Sequence, residues 1–202
     1  MIQYVFRLKG VPEWTMTSSP LTAWKSRLAS LPENLIFSRF PIDRQTVFHA
    51  TEWTFAFTNL KPVIPGHVLI SPIRIVDRLT HLTPIELSDL FSCAKSVGDA
   101  LLRAHPHADS LTFTIQDGPS AGQSVKHLHI HVMPRWPSDR FNSSNEGNDA
   151  IYHAINKSDE HFSVPHCPKV DEPSMVEARS KEQMIDESNV LKHFMEEILF
   201  KD

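Results

Sequence analysis

The chain has 202 residues, enough for one domain with a proper core and some additional chain. Apolar residues make up 41 % and charged residues 22 %, an ordinary globular balance. The formal charge of −4 leaves no global basic field, which argues against non-specific nucleic-acid binding as the main task; a small anion would have to be held by local groups.

Residues 1–33 show no clean period, hold Pro12, Pro20 and Pro32, and read as a disordered extension to the domain. Arg7, Lys9, Lys25 and Arg27 against the single acid Glu13 in the first thirty residues leave mitochondrial targeting open, while the start lacks the apolar core of a secretory signal. No apolar run approaches the roughly 18 residues needed to span a bilayer. Cys93 and Cys167 make neither a disulfide framework nor a zinc spacing. The expected compartment is therefore the cytoplasm, with the nucleus as an alternative.

From Asn34 the pattern sharpens. TVFHATEWTFAFTNL (46–60) is aromatic and β-branched, as a strand and hairpin partner should be. In KPVIPGHVLISP, Pro62, Pro65 and Gly66 mark a turn, and HVLIS then reads as a buried strand. Thr83 to Ala104 is the strongest helix: Thr83 as N-cap, Pro84 in the first position, Glu86 completing a capping box, and Leu87, Leu90, Phe91, Ala94, Val97, Leu101 and Leu102 as its apolar face. LTFTIQ (111–116) and SVKHLHIHVMP (124–134) should be an antiparallel pair joined by the loop DGPSAGQ. A polar loop over 135–150, a short helix over 149–157 and a last helix from Ser174 to Phe200, capped by Ser174 and Glu177, complete an α+β arrangement. The expected units are an extension (1–33), a domain (34–160), and an irregular segment with a C-terminal helix (161–202).

The chemistry gathers at VKHLHIHVMPR (125–135). On a strand, residues i, i+2 and i+4 share a face, so His127, His129 and His131 line up about 6.5–7 Å apart. Leu128, Ile130 and Val132 then enter the core, turning the histidine face outward from the packed layer. Such a row could chelate zinc. The preceding GPSAGQSV favours a different ligand. Two glycines, two hydroxyls and an amide can turn backbone N–H groups, Gln123 and Ser124 toward an anion, which a metal would not need. A neutral imidazole can attack phosphorus and carry the phosphoryl group covalently, and its neighbours can hold protons.

With these residues the chain resembles the histidine-triad family: HLHIHVM (127–133) fits its pattern of alternating histidine and apolar residues at every position. NLKPVIPGHVLISPIR (59–74), LTFTIQDGPSAGQSVKHLHIHVMPR (111–135) and NDAIY (148–152) resemble the fragile-histidine-triad branch, over roughly 34–160. The resemblance implies a five-stranded antiparallel sheet with a long helix and a C-terminal helix, usually joined into ten strands across a homodimer. It implies a dinucleoside polyphosphate hydrolase that cleaves diadenosine triphosphate to AMP and ADP through a covalent His–AMP intermediate. By position, His129 corresponds to the nucleophile and His131 to the residue serving the bridging oxygen. His127 and His67 correspond to supporting groups, Asn59 and Gln116 to nucleotide contacts, and Gly122, Gln123, Ser124 and Val125 to the phosphate cradle. A divalent cation, Mg or Mn, is expected on the substrate phosphates, with no dedicated protein metal site and no nucleic-acid or membrane partner. Phe40 departs from the pattern and could stack on a base or pack in the core; Arg135 could meet a phosphate or stay a surface charge. Adenosine phosphoramidase activity and a nucleotide-binding signalling module are the alternatives.

Overall fold

Thr83, Pro84 and Glu86 begin the longest helix as their chemistry requires. The Thr83 hydroxyl accepts from the Glu86 N–H, and the Glu86 carboxylate accepts from the Thr83 N–H. The computed structural model describes residues 20–141, 150–159 and 177–199. Within them lie four helices, α1 (Pro20–Ala29), α2 (Pro84–Ala104), α3 (Ala150–Asp159) and α4 (Lys181–Leu199). The strands are β1 (Ile36–Phe37), β2 (Phe40–Pro41), β3 (Val47–Ala50), β4 (Thr54–Thr58), β5 (Val68–Pro72), β6 (Ser110–Ile115) and β7 (Ile130–Arg135).

Strands β3 to β7 form one antiparallel sheet in the order β3-β4-β5-β7-β6, and β1 and β2 form a separate ribbon. The aromatic stretch 46–60 is thus a hairpin, β3 and β4, turning at 51–53. Its alternation sends Phe48 and Ala56 to one face of the sheet and Phe55 and Phe57 to the other. The first face carries α2 and α4: Val68, Ile70, Leu128, Ile130 and Val132 pack on Leu90, Ala94, Val97, Leu101, Leu191 and Met195. Cys93 is buried there, and burial pushes its thiol pKa up, which keeps it protonated and inert.

Several expectations change in detail. Leu87 and Phe91, assigned to the buried side of α2, are exposed, and Cys93, Gly98 and Ala100 take the inner positions. The last helix starts at Lys181 on its own box, in which Ser180 N–H donates to Gln183 Oε1 and Gln183 N–H to the Ser180 hydroxyl. The expected cap at Ser174, together with Cys167, lies outside the described residues. Strand β7 starts at Ile130, so His127 and His129 precede it. Trp24 and Leu31, in the stretch read as an extension, are buried; the Trp24 indole N–H donates to His49 Nδ1 at 2.9 Å. Burial holds the His49 pKa down to about 4, so that bond is made to a neutral ring. Among the described residues no helix is long and apolar enough to cross a membrane.

Candidate active site

The face of the sheet opposite α2 and α4 carries the histidines. Register places His131 directly between Leu69 of β5 and Thr114 of β6, all on this face. The imidazoles do not face solvent, as alternation alone suggested: His127, His129 and His131 are each no more than 3 % exposed. Phe37 of β1 covers the first two, stacked on His127 with ring centres 5.4 Å apart and edge-on to His129 at 5.1 Å. Short, aperiodic β1 gave no sign of this role in the sequence.

Hydrogen bonds fix which nitrogen does what. Ser38 N–H donates to His127 Nδ1 at 2.9 Å, so His127 carries its proton on Nε2 and donates to the Pro72 carbonyl at 3.0 Å. Burial drives the His127 pKa down to about 4, and this ring is neutral at pH 7. Both of its nitrogens are in use, which removes it as a metal ligand. The bend before β7 lets the His127 carbonyl accept from His129 Nδ1 at 2.8 Å, which leaves Nε2 of a neutral His129 with its lone pair. A second relay runs beside it. Val63 N–H donates to His67 Nδ1 at 3.1 Å, His67 Nε2–H donates to His131 Nδ1 at 3.0 Å, and the His131 proton is thereby placed on Nε2. The rings of His129 and His131 stand 4.7 Å apart, edge to face. A ring whose Nδ1–H is engaged and a ring whose Nε2 carries the proton are therefore neighbours.

Gly66 makes the turn that delivers His67. Its φ is +81°, and a Cβ there would meet His105 Nε2 and the Pro134 ring inside 3.0 Å.

The loop before the histidines is narrower than its composition suggested. The N–H groups of Gly122 and Gln123 close onto the carbonyls of Pro119 and Gly118, and the Gln123 amide donates to the Asp77 carbonyl at 2.7 Å. That leaves the N–H groups of Ser124 and Val125. The Ser124 hydroxyl, Thr114 Oγ1 and Gln116 Oε1 are buried with no hydrogen-bond partner among the described residues. Buried polar atoms of this kind are normally satisfied by a ligand or water.

Beside the histidines lies a cavity of about 280 Å³, near the small end of ligand sites, lined by Phe37, Phe40, Phe57, Leu69, Asn59 and Met184. Phe40 thus lines a cavity rather than filling the core. Asn59 is buried, its Oδ1 accepts from Lys61 N–H at 3.1 Å, and its carbonyl accepts from Arg179, which also pairs with Glu187. Arg135 is largely buried rather than a surface charge: it pairs two-fold with fully buried Asp139, at 2.6 and 3.0 Å. Among the described residues no group of three or more His, Cys, Asp or Glu is placed to hold a metal ion.

A family model described as the HIT domain matches residues 42–138. The bifunctional bis(5'-adenosyl)-triphosphatase/adenylylsulfatase of Arabidopsis thaliana is 40 % identical over 163 residues, 81 % of this chain and 85 % of that protein. The chain belongs to the HIT family. The bis(5'-adenosyl)-triphosphatase of Dictyostelium discoideum, a second HIT relative, is 40 % identical over 161 residues, 80 % of this chain and 93 % of that protein. The crystal structure of the Caenorhabditis elegans NitFhit protein matches with a TM-score of 0.59 at 37 % identity, covering 79 % of this chain and 30 % of that longer one. The α+β HIT fold with its five-stranded antiparallel sheet is therefore both observed and shared.

Sequence reasoning named His67, His127, His129 and His131, which the structure brings together on one face, with Asn59, Gln116 and Ser124 around them. It missed Phe37 and Ser38, which sit in a stretch without period, and Asn156 of α3, which accepts a hydrogen bond from the Gln116 amide. No spacing in the chain flags these three, because their partners are 40 to 92 residues away.

Proposed function

We propose that this HIT protein is a dinucleoside polyphosphate hydrolase that cleaves diadenosine triphosphate to AMP and ADP. The observation that carries the reading is the pair of tautomer-fixing relays, which set a His129 lone pair and a His131 N–H side by side next to orphaned buried donors and acceptors. Its relatives are named as enzymes of this activity.

His129 Nε2 attacks the α-phosphorus. The bond from phosphorus to the bridging oxygen breaks and its electron pair leaves with ADP. Phosphate monoesters have a second pKa near 6, so the leaving oxygen needs a hydrogen bond from His131 Nε2–H rather than a full proton. Charge builds on the His129 ring, where the His127 carbonyl already accepts its Nδ1–H. The neutral His127 ring adds no opposing charge. Ser124 and Val125 N–H groups, with the Ser124 hydroxyl, hold the non-bridging oxygens. Gly122 and Gln123 shape that cradle. The cavity beside Asn59 takes the adenosine, its base against Phe37, Phe40 and Phe57. A Mg²⁺ or Mn²⁺ ion would arrive on the polyphosphate and neutralise part of its charge. Water then attacks the adenylyl–His129 bond. The electron pair returns to Nε2, one water proton stays on AMP and the other passes to solvent.

The same reading places a second copy of the chain on β6. Among the described residues this edge strand pairs only with β7, and Phe113 (47 % exposed) lies beside Phe91 (49 %) of α2 on an apolar face. Equilibrium sedimentation should give a dimer, and Phe113→Glu a monomer.

The experiment for the activity is chromatography of products from diadenosine triphosphate. AMP and ADP in equal amounts support it. An intact substrate alongside a rapidly hydrolysed adenosine phosphoramidate would transfer the chain to phosphoramidase chemistry.

A further inference from the structure

We infer that Asn156 of α3 is a positioning residue for the second half of this reaction, holding the Gln116 amide so that its oxygen can receive the water that releases AMP. The inference rests on the hydrolase reading above.

Helix α3 is anchored by Ile151 and Ile155, both fully buried against Val63, Ile64 and Met133. Those three neighbours adjoin the histidine relay: Val63 N–H donates to His67 Nδ1, the Ile64 carbonyl accepts from His67 N–H, and Met133 follows His131 by two residues on the same face of β7. One residue beyond Ile155, Asn156 reaches back over the phosphate loop. Its Oδ1 accepts a hydrogen bond from Gln116 Nε2. Gly122 lies directly under the pair, and a Cβ on it would come within 2.8 Å of Asn156 Oδ1 and 2.9 Å of Gln116 Nε2. The loop glycine, the β6 glutamine and the α3 asparagine form one packed unit.

Fixing Gln116 Nε2 has a consequence for its other atom. Gln116 is 7 % exposed, and its Oε1 is buried with no partner among the described residues. An amide oxygen only accepts. It gains nothing from the non-bridging oxygens of a phosphate, which are acceptors too. It does suit a water molecule, which brings two O–H donors and enters after ADP has left. Gln116 takes no proton: it orients the water by accepting one O–H, while the oxygen lone pair forms the bond to phosphorus and the bond to His129 Nε2 breaks. Without Asn156 the amide can rotate and offer its NH₂ to the phosphate instead, which holds the adenylyl group and leaves the water unplaced.

The test is rapid-quench kinetics on diadenosine triphosphate with intact-protein mass spectrometry, comparing wild type, Asn156→Ala and Asn156→Asp. Alanine at this exposed helical position favours the helix, so folding is retained. For Asn156→Ala we expect an unchanged first burst of ADP, AMP release slowed about tenfold or more, and adenylyl-enzyme accumulating at position 129. Aspartate keeps an acceptor for Gln116 Nε2, so it should restore most of the AMP-release rate while its charge raises KM. The inference is overturned if Asn156→Ala slows burst and release alike, if it slows neither, or if Asn156→Asp releases AMP as slowly as alanine. A wild-type enzyme that never becomes adenylylated would overturn the hydrolase reading itself, a separate outcome.

Discussion

The two faces of the central sheet are built from the same strands and obey opposite rules. Toward α2 and α4, Leu128, Ile130 and Val132 enter a dry apolar layer in which shape and volume are all that matter. On the other face, one residue out of step, His129 and His131 are as deeply buried, yet every ring nitrogen assigned above has a directional role. The difference teaches that burial here serves two ends. On one face it supplies stability; on the other it strips water from imidazoles so that backbone carbonyls and N–H groups decide their tautomers.

Substitutions that move one residue along the strand should separate the two faces most sharply. His129→Asn should lower turnover of diadenosine triphosphate by about a thousandfold or more, with the thermal midpoint little changed. Ile130→Ala, its neighbour, should do the reverse. It should cost about 2–5 kcal/mol in a denaturant titration while activity per folded molecule stays near wild type. Loss of activity in both, or stability loss in both, would erase the distinction.

Acid should reach both faces together. His49 on the helix side and His127 on the site side each have a folded pKa of about 4, against 6.5 in the unfolded chain. The unfolded state therefore binds more protons between those values. Stability from these groups is complete above pH 6.5, falls by a few kcal/mol as the pH drops toward 4, and flattens below it. Denaturant titrations at half-unit pH intervals should show that fall. A smaller effect is expected from Gly122→Ala. With φ at +87° and Asn156 and Gln116 pressed against it, the added methyl should cost about 1 kcal/mol of stability. It should also reduce kcat/KM by about tenfold.

Much of this was legible in the chain. Period and capping chemistry located α2 to the residue, because Thr83, Pro84 and Glu86 act on atoms within one turn. The strand pattern likewise put His129 and His131 on one face. What alternation could not show was the cover: Phe37 and Ser38 reach His127 across 89 or more residues, and no local rule couples segments so far apart. The Arg135–Asp139 pair is local, four residues apart, and stayed hidden for a different reason: Asp139 lies in a stretch whose composition suggested a loop in solvent, and composition does not show that its carboxylate is buried. Phe91 broke the helical face: it is half exposed beside Phe113 of β6, the edge strand among the described residues. Asn156 became visible only once α3 was seen against Val63, Ile64 and Met133.

The most direct measurement of the central claim is capture of the intermediate. Diadenosine triphosphate mixed with the enzyme and quenched in alkaline denaturant, which preserves a phosphorus–nitrogen bond, should yield an adenylyl group on the peptide containing His129 and on no other histidine. Hydrolysis that proceeds with His129 unmodified at every quench time, or with the label on His131, would contradict the account.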